Sequence, residues 1–268
     1  MKGLGIIGVG AMGSALARRI VGASVIPGNT VTLADRREEH VRCLAHELGL
    51  RWAKIPALAE ATDTIIVAVK PQQIRGLLAD LGRHLTPSHL VISIAAGISL
   101  ADLASWIGEE QPVIRVMPNT PCLIGEGAVV LSPNANVTET QLELAQKLFS
   151  VTGKVWVLPE EQMNAVTGVS GSGPAYVYLF IEALIDGGIA AGLGHEVATE
   201  LAIQTVIGAA HMVRETDEHP AVLKQLVTSP AGTTAAALRE LEKGSVRGAV
   251  IEAVLAATAR SRELQLHR

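Results

Sequence analysis

Gly8-Val9-Gly10-Ala11-Met12-Gly13 lies between a β-branched apolar run and a helical pattern at the start of a 268-residue chain. Glycines at these three positions limit what can be built there. Gly8 permits a tight turn, Gly10 lets a pyrophosphate approach the backbone, and Gly13 lets a helix pack close to a strand. The glycines alone are a weak signal. Their context strengthens it: a strand before, a helix after, and a second strand ending at Asp35 that closes a βαβ unit. The motif predicts a dinucleotide site with Gly8, Gly10, Ala11, Met12 and Gly13 at the phosphates.

The rest of the first half repeats this rhythm. Continuous apolar runs at 2–7, 31–35, 64–69, 90–95 and 113–117 suit strands buried on both faces of a parallel sheet. Helical patterns at 11–21, 38–48, 71–85 and 100–107 separate them, which predicts a doubly wound α/β domain. Two more strands are expected at 128–131 and 154–158, with a helix at about 138–150 between them. After Pro159 the pattern becomes helical throughout, at 160–167, 172–191, 195–215, 219–227, 233–243 and 245–264. A boundary near residue 158 is therefore expected, giving an α/β domain over 1–158 and an all-α domain over 159–268. In the last helix Val246, Val250, Ile251, Val254, Leu255 and Thr258 share one face. An apolar stripe of that size predicts an oligomer interface.

Composition narrows the function. Apolar residues make up 49% and aromatic residues 3%, so the core must be aliphatic. A formal net charge of −4, with no arginine cluster or aromatic platform, gives no footing for nucleic acid. Cys43 and Cys122 lie far apart without CxxC spacing, and the histidines show no HxxxH or HExxH pairing. These features argue for a reducing cytoplasm and against a disulfide framework or a metal site. The first residues are too short and glycine-broken for a signal peptide. Residues 176–193 are apolar, but Glu182 and Asp186 lie within them. Each carboxylate would cost roughly 2.5–3.5 kcal/mol at a bilayer centre, so a helix in a protein interface is expected instead.

The end of the second strand bears on cofactor choice. Asp35 suits the ribose hydroxyls of NAD(H), whereas Arg36 and Arg37 suit the 2′-phosphate of NADP(H). The balance favours NADP(H) and leaves NAD(H) open. Two further loops, Ala68-Val69-Lys70-Pro71 and Ala95-Ala96-Gly97, fall at strand C-terminal ends, where such sheets bind ligands. Met117-Pro118-Asn119-Thr120-Pro121 is a third, stiffened by two prolines.

Near the end of the chain, Ser229-Pro230-Ala231-Gly232-Thr233-Thr234 reads as a helix start able to hold an anion. Ser229 suits an N-cap, Pro230 the first helical position, and Gly232 a close approach of ligand to backbone.

Together these stretches resemble pyrroline-5-carboxylate reductases over essentially the whole chain. The specific segments are Val169-Ser170-Gly171-Ser172-Gly173-Pro174-Ala175-Tyr176, Glu218-His219-Pro220 with Leu223-Lys224, and residues 229–234. The resemblance implies a Rossmann domain followed by an all-helical dimerisation domain, in homodimers that often build larger assemblies such as decamers. It implies reduction of a cyclic imine carboxylate to L-proline in the cytoplasm, as the last step of proline synthesis. Ser229, Gly232, Thr233 and Thr234 would then hold the substrate carboxylate, with Thr234 the catalytic candidate beside the ring nitrogen. Glu160 is expected at the pocket rim, and Asn119 with the three strand-end loops at the cofactor. Ala231 departs from the Gly-Gly pattern common in the family. A 3-hydroxyacid dehydrogenase would share glycines at 168, 171 and 173, but Val177 stands where its lysine belongs, and alcohol oxidation lacks its base.

Overall fold

The structure is a computed structural model describing residues 2–266. Its eight strands are β1 (Leu4–Ile7), β2 (Val31–Ala34), β3 (Arg51–Trp52), β4 (Thr64–Val67), β5 (Leu90–Ser93), β6 (Val113–Met117), β7 (Gly127–Pro133) and β8 (Gly153–Val157). They form one sheet in the order β3-β2-β1-β4-β5-β6-β7-β8. All neighbours pair in parallel except β6 and β7. Helices α1 (Ala11–Gly22), α2 (Glu38–Leu48), α3 (Ile55–Ala61), α4 (Pro71–Leu81), α5 (Leu100–Ile107) and α6 (Glu139–Ser150) provide the crossovers.

Side chains alternate across the pleat, so successive core residues serve opposite faces. Leu4, Ile6, Ile92, Ile114 and Val116 belong to one buried cluster together with Phe149 of α6. Ile7, Ile65, Val67, Val91 and Val113 belong to the other, against Ile74 and Leu78 of α4. Burial on both faces is why these strands read as unbroken apolar runs rather than alternating ones. The sheet and crossover helices confirm the doubly wound expectation. The strand β3 and helix α3 are additions to the sequence reading.

The later elements are the short α7 (Met163–Val166), a π-turn at Thr167–Gly171, α8 (Gly173–Ala190), α9 (His195–Thr216), α10 (Pro220–Leu226), α11 (Thr233–Lys243) and α12 (Val246–Leu266). The chain divides into two compact units. One runs to Ser172 and takes in the chain from Ala256 onward; the other is Gly173–Leu255. Compactness thus divides the chain later than the expected boundary at 158. The reason is packing: Asn164 lies in the first unit with Ser261, whose hydroxyl donates to Asn164 Oδ1 at 2.7 Å.

In the second unit, α8 and α9 pack as a hairpin over small residues. A methyl group at Gly188 would meet the Ala198 Cβ at 3.2 Å, and Ala198 and Ala202 are buried. Large apolar side chains nevertheless stay exposed within this unit, including Leu179 at 68% and Leu255 at 55%. Of the expected stripe on α12, Val250 and Ile251 are likewise exposed, whereas Thr258 is buried. Among the described residues no helix is long and apolar enough to cross a membrane.

Candidate active site

A candidate dinucleotide site forms at the C-terminal ends of β1, β2 and β4. A cleft of about 760 Å³ opens there, walled by Gly8, Gly10, Asp35, Arg36, Arg37, Ala68, Val69 and Lys70, all expected from the sequence. Gly8 has φ +95°, a conformation that favours glycine, and its amide donates to the Ala34 carbonyl at 2.8 Å. Ala11 opens α1, presenting the free amides and positive dipole end that a pyrophosphate requires. Met12 packs against the core instead of facing the cleft. Gly13 contributes by lying against the Gly8 carbonyl, leaving no room for a side chain.

Both oxygens of Asp35 are engaged by its own chain. Oδ2 accepts from the Val9 amide at 2.9 Å, and Oδ1 accepts from the Arg37 amide at 2.9 Å and its Nε at 3.3 Å. Partial burial alone would push the carboxyl up. The Arg37 and Val9 amides and the Arg37 guanidinium outweigh that and hold it below the usual carboxylate range. The Val9 carbonyl is held from the other side by His40 Nε2 at 2.9 Å and Ser14 Oγ at 2.8 Å. Asp35 thus braces the glycine loop from the wall of the cleft in which the sequence reading expects it to meet a ribose. Its spacing from the glycines is equally consistent with both uses, so sequence could not separate them.

The structure adds cleft residues that sequence reasoning missed. Lys54 and Trp52 come from the β3–α3 segment, and Gln73 from α4. With its amide oxygen turned to Arg36, Gln73 accepts from Nη1 at 2.8 Å. Lys54 lies 3.8 Å from Glu38, and Arg42 stacks over Trp52 at 4.4 Å. No periodic pattern announced β3 because it is only two residues long.

Two further expected residues, Asn119 and Glu160, make hydrogen bonds within the first unit. The Asn119 side chain donates to the Ser170 carbonyl at 3.1 Å and accepts from the Ala128 amide at 2.9 Å. It ties the loop after β6 to the π-turn. Glu160 accepts from Arg115 Nη1 at 2.9 Å and from the Leu100 amide at 2.7 Å. Arg115 is 3% exposed, so a nearby carboxylate is needed as its counter-ion. Ala95-Ala96-Gly97 forms the turn after β5, with Ala96 exposed and Gly97 at φ +71°.

In the second unit, the start of α11 carries the residues expected at an anion. Helix α11 begins at Thr233 with Gly232 as N-cap, and no side chain caps it. Ser229 and Pro230 therefore fall outside the helix, in a turn closed by the Gly232 amide donating to the Ser229 carbonyl at 3.0 Å. This corrects the expectation that Ser229 caps and Pro230 opens the helix. Among the described residues no side chain caps the first-turn amides of α11, beside which Thr233 and Thr234 lie in sequence. A Cβ at Gly232 would lie 2.2 Å from Ser229 Oγ, so glycine is what lets that hydroxyl reach the helix start. Ala231 adopts φ +57°, which costs an L-residue roughly 1–2 kcal/mol and glycine almost nothing.

The family described as pyrroline-5-carboxylate reductase dimerisation matches residues 160–264, and one described as NADP oxidoreductase, coenzyme F420-dependent, matches 3–97. A pyrroline-5-carboxylate reductase of Arabidopsis thaliana is 45% identical over 262 residues, covering 97% of this chain and 95% of that protein. One from Escherichia coli K12 is 39% identical and covers 98% of both chains. The chain belongs to the pyrroline-5-carboxylate reductase family. The crystal structure of Plasmodium falciparum pyrroline carboxylate reductase with NADP bound superposes with a TM-score of 0.89 at 37% identity, covering 98% of each chain. The family match from residue 160 coincides with the change of pattern after Pro159, although compact packing divides the chain later.

Proposed function

We propose that the protein reduces 1-pyrroline-5-carboxylate to L-proline with a reduced nicotinamide cofactor, as the last step of proline biosynthesis. The observation that carries this reading is the uncapped start of α11, with the hydroxyls of Ser229, Thr233 and Thr234 beside free amides. A family member with a dinucleotide cleft needs a place for the substrate carboxylate, and this helix start has the right chemistry. The cofactor supplies hydride to the imine carbon, while the ring nitrogen gains a proton. The protein's contribution is orientation and charge. The α11 amides bind the carboxylate, and Thr234 places its hydroxyl at the ring nitrogen, whose protonation to iminium makes the imine carbon the better hydride acceptor.

The cofactor is NADPH in preference to NADH. Both oxygens of Asp35 accept from its own chain, and the Arg37 guanidinium beside it offsets its charge. Arg36, Arg37 and Lys54 line the same cleft, and a 2′-phosphate pairs well with guanidinium groups. Turnover of pyrroline-5-carboxylate measured side by side should give a higher kcat/KM with NADPH. Replacing Arg36 and Arg37 together by alanine should lower kcat/KM for NADPH about tenfold to a hundredfold and leave NADH within about twofold. No turnover with either cofactor would reject the reaction, and equal losses for both would reject the phosphate role.

The working form is a homodimer that builds a larger ring such as a decamer. Helical units pair across the dimer, and each active site combines one subunit's cofactor domain with its partner's helices. The exposed apolar side chains of α8 and α12 support pairing, since a free subunit would present them to water. Light scattering should give a mass of at least two chains; a clean monomer would defeat this. The compartment is the cytoplasm, supported by two unpaired cysteines, one buried and one exposed.

A further inference from the structure

Arg115 is the most deeply buried guanidinium in the first unit's strands, and the reduction just described has no direct use for it. It lies on β6 opposite Ser93, the last residue of β5. Its charge is balanced by Glu160, and the Gln265 amide oxygen turned toward it lies 2.8 Å from Nη1 and 3.1 Å from Nη2. Glu160 uses the same oxygen to accept from the amide of Leu100, the first residue of α5. Ser99 and Asp102 form a capping box there, but that box does not serve the Leu100 amide. The carboxylate therefore fixes the downstream end of the β5–α5 turn, where the helix dipole also favours it.

The upstream end of that turn is held by Ser93, whose hydroxyl oxygen accepts from the Ala95 amide at 3.3 Å. Its middle is covered by the last helix: a methyl group at Gly97 would meet Leu264 Cβ at 3.6 Å. One connected set of groups, from β6 to the end of α12, thus grips a turn of six residues. A buried ion pair is an expensive way to secure a helix start, because removing either partner strands the other charge. Its geometry is better explained by the need to hold the turn in one place.

We propose that Glu160, itself held by Arg115 and the end of α12, is a positioning residue that sets the Ala95-Ala96-Gly97 turn for the cofactor. This rests on the reading of that turn as a cofactor loop. Glu160 acts through the Leu100 amide and touches neither reactant.

The test is NADPH affinity, read by fluorescence titration without substrate, beside the KM for pyrroline-5-carboxylate. Glu160→Ala removes the acceptor and should weaken NADPH binding about tenfold. Glu160→Gln keeps an acceptor for Leu100 and should recover most of that loss, ending within about threefold of wild type. The imine KM should stay within about twofold in both. If the bare Arg115 charge prevents Glu160→Ala from folding, the amide variant carries the test, with a two- to threefold weaker Kd as the expected result. An unchanged Kd overturns the proposal, as does a raised imine KM at unchanged Kd, which would return Glu160 to the substrate rim. Wild-type protein that fails to bind NADPH or to turn over the imine would defeat the parent reading, a result separable from either variant outcome.

Discussion

Gly13→Ala is expected to abolish NADPH binding and to lower stability by several kcal/mol. In an exposed helix the change would stabilise by up to ~1 kcal/mol, because alanine favours the helix. Here the new methyl carbon would lie 1.9 Å from the Gly8 carbonyl oxygen and 3.1 Å from the Ala68 Cβ. The first contact is backbone and cannot rotate away. The N-terminal end of α1 must move off the sheet, carrying with it the amides that meet the pyrophosphate. Overpacking in a rigid core costs about 1–3 kcal/mol or more, which exceeds the propensity gain. Gly10→Ala is the control. A Cβ at Gly10 meets nothing within 4 Å, so that variant should melt near wild type and lose only cofactor affinity. Thermal denaturation and fluorescence titration of both variants check the pair; a Gly13→Ala protein with wild-type melting and affinity would refute the packing argument.

The second large effect belongs to Thr234→Ala. Thr234 is half-buried in the first turn of α11, whose start no side chain caps. Loss of the hydroxyl should lower kcat about a hundredfold, within the range of one hydrogen bond made to a reacting group. NADPH affinity should be unchanged, since the dinucleotide cleft contains no residue of α11. Thr234→Ser keeps the hydroxyl and should recover most of the rate. Single-turnover kinetics with saturating NADPH provide the measurement. Wild-type kcat in the alanine variant would remove Thr234 from its assigned role.

Much of this protein was legible in its residues. Glu38–Leu48, Leu100–Ile107, Val113–Met117 and Thr233–Lys243 have the bounds that periodicity suggests, because each buries a continuous face or has a clear stop. The glycine loop was legible for the same local reason: its glycines are needed for contacts within one βαβ unit. β3 and α3 were not legible. A two-residue strand has no period, and Ile55-Pro56 opens a helix too short to show one.

Side-chain duties followed a different rule. Asp35, Asn119, Glu160 and Ser229 all have chemistry suited to a ligand, and three of them are committed to their own chain. Beside nearer partners, they reach Val9, Ser170 and Arg115, 26, 51 and 45 residues away, and no local pattern announces those bonds. Ser229 was displaced from its expected cap by three residues because Ala231 turns left-handed and Gly232 takes the cap.

Local spacing by itself determined the doubly wound sheet, the helical second half, the dinucleotide loop and the family, since these depend on contacts between near neighbours or on motifs read in order. Tertiary structure alone decided which polar groups remain available to a ligand. A carboxylate or amide is available only when no distant donor or acceptor has already satisfied it, and that is settled by packing across the fold.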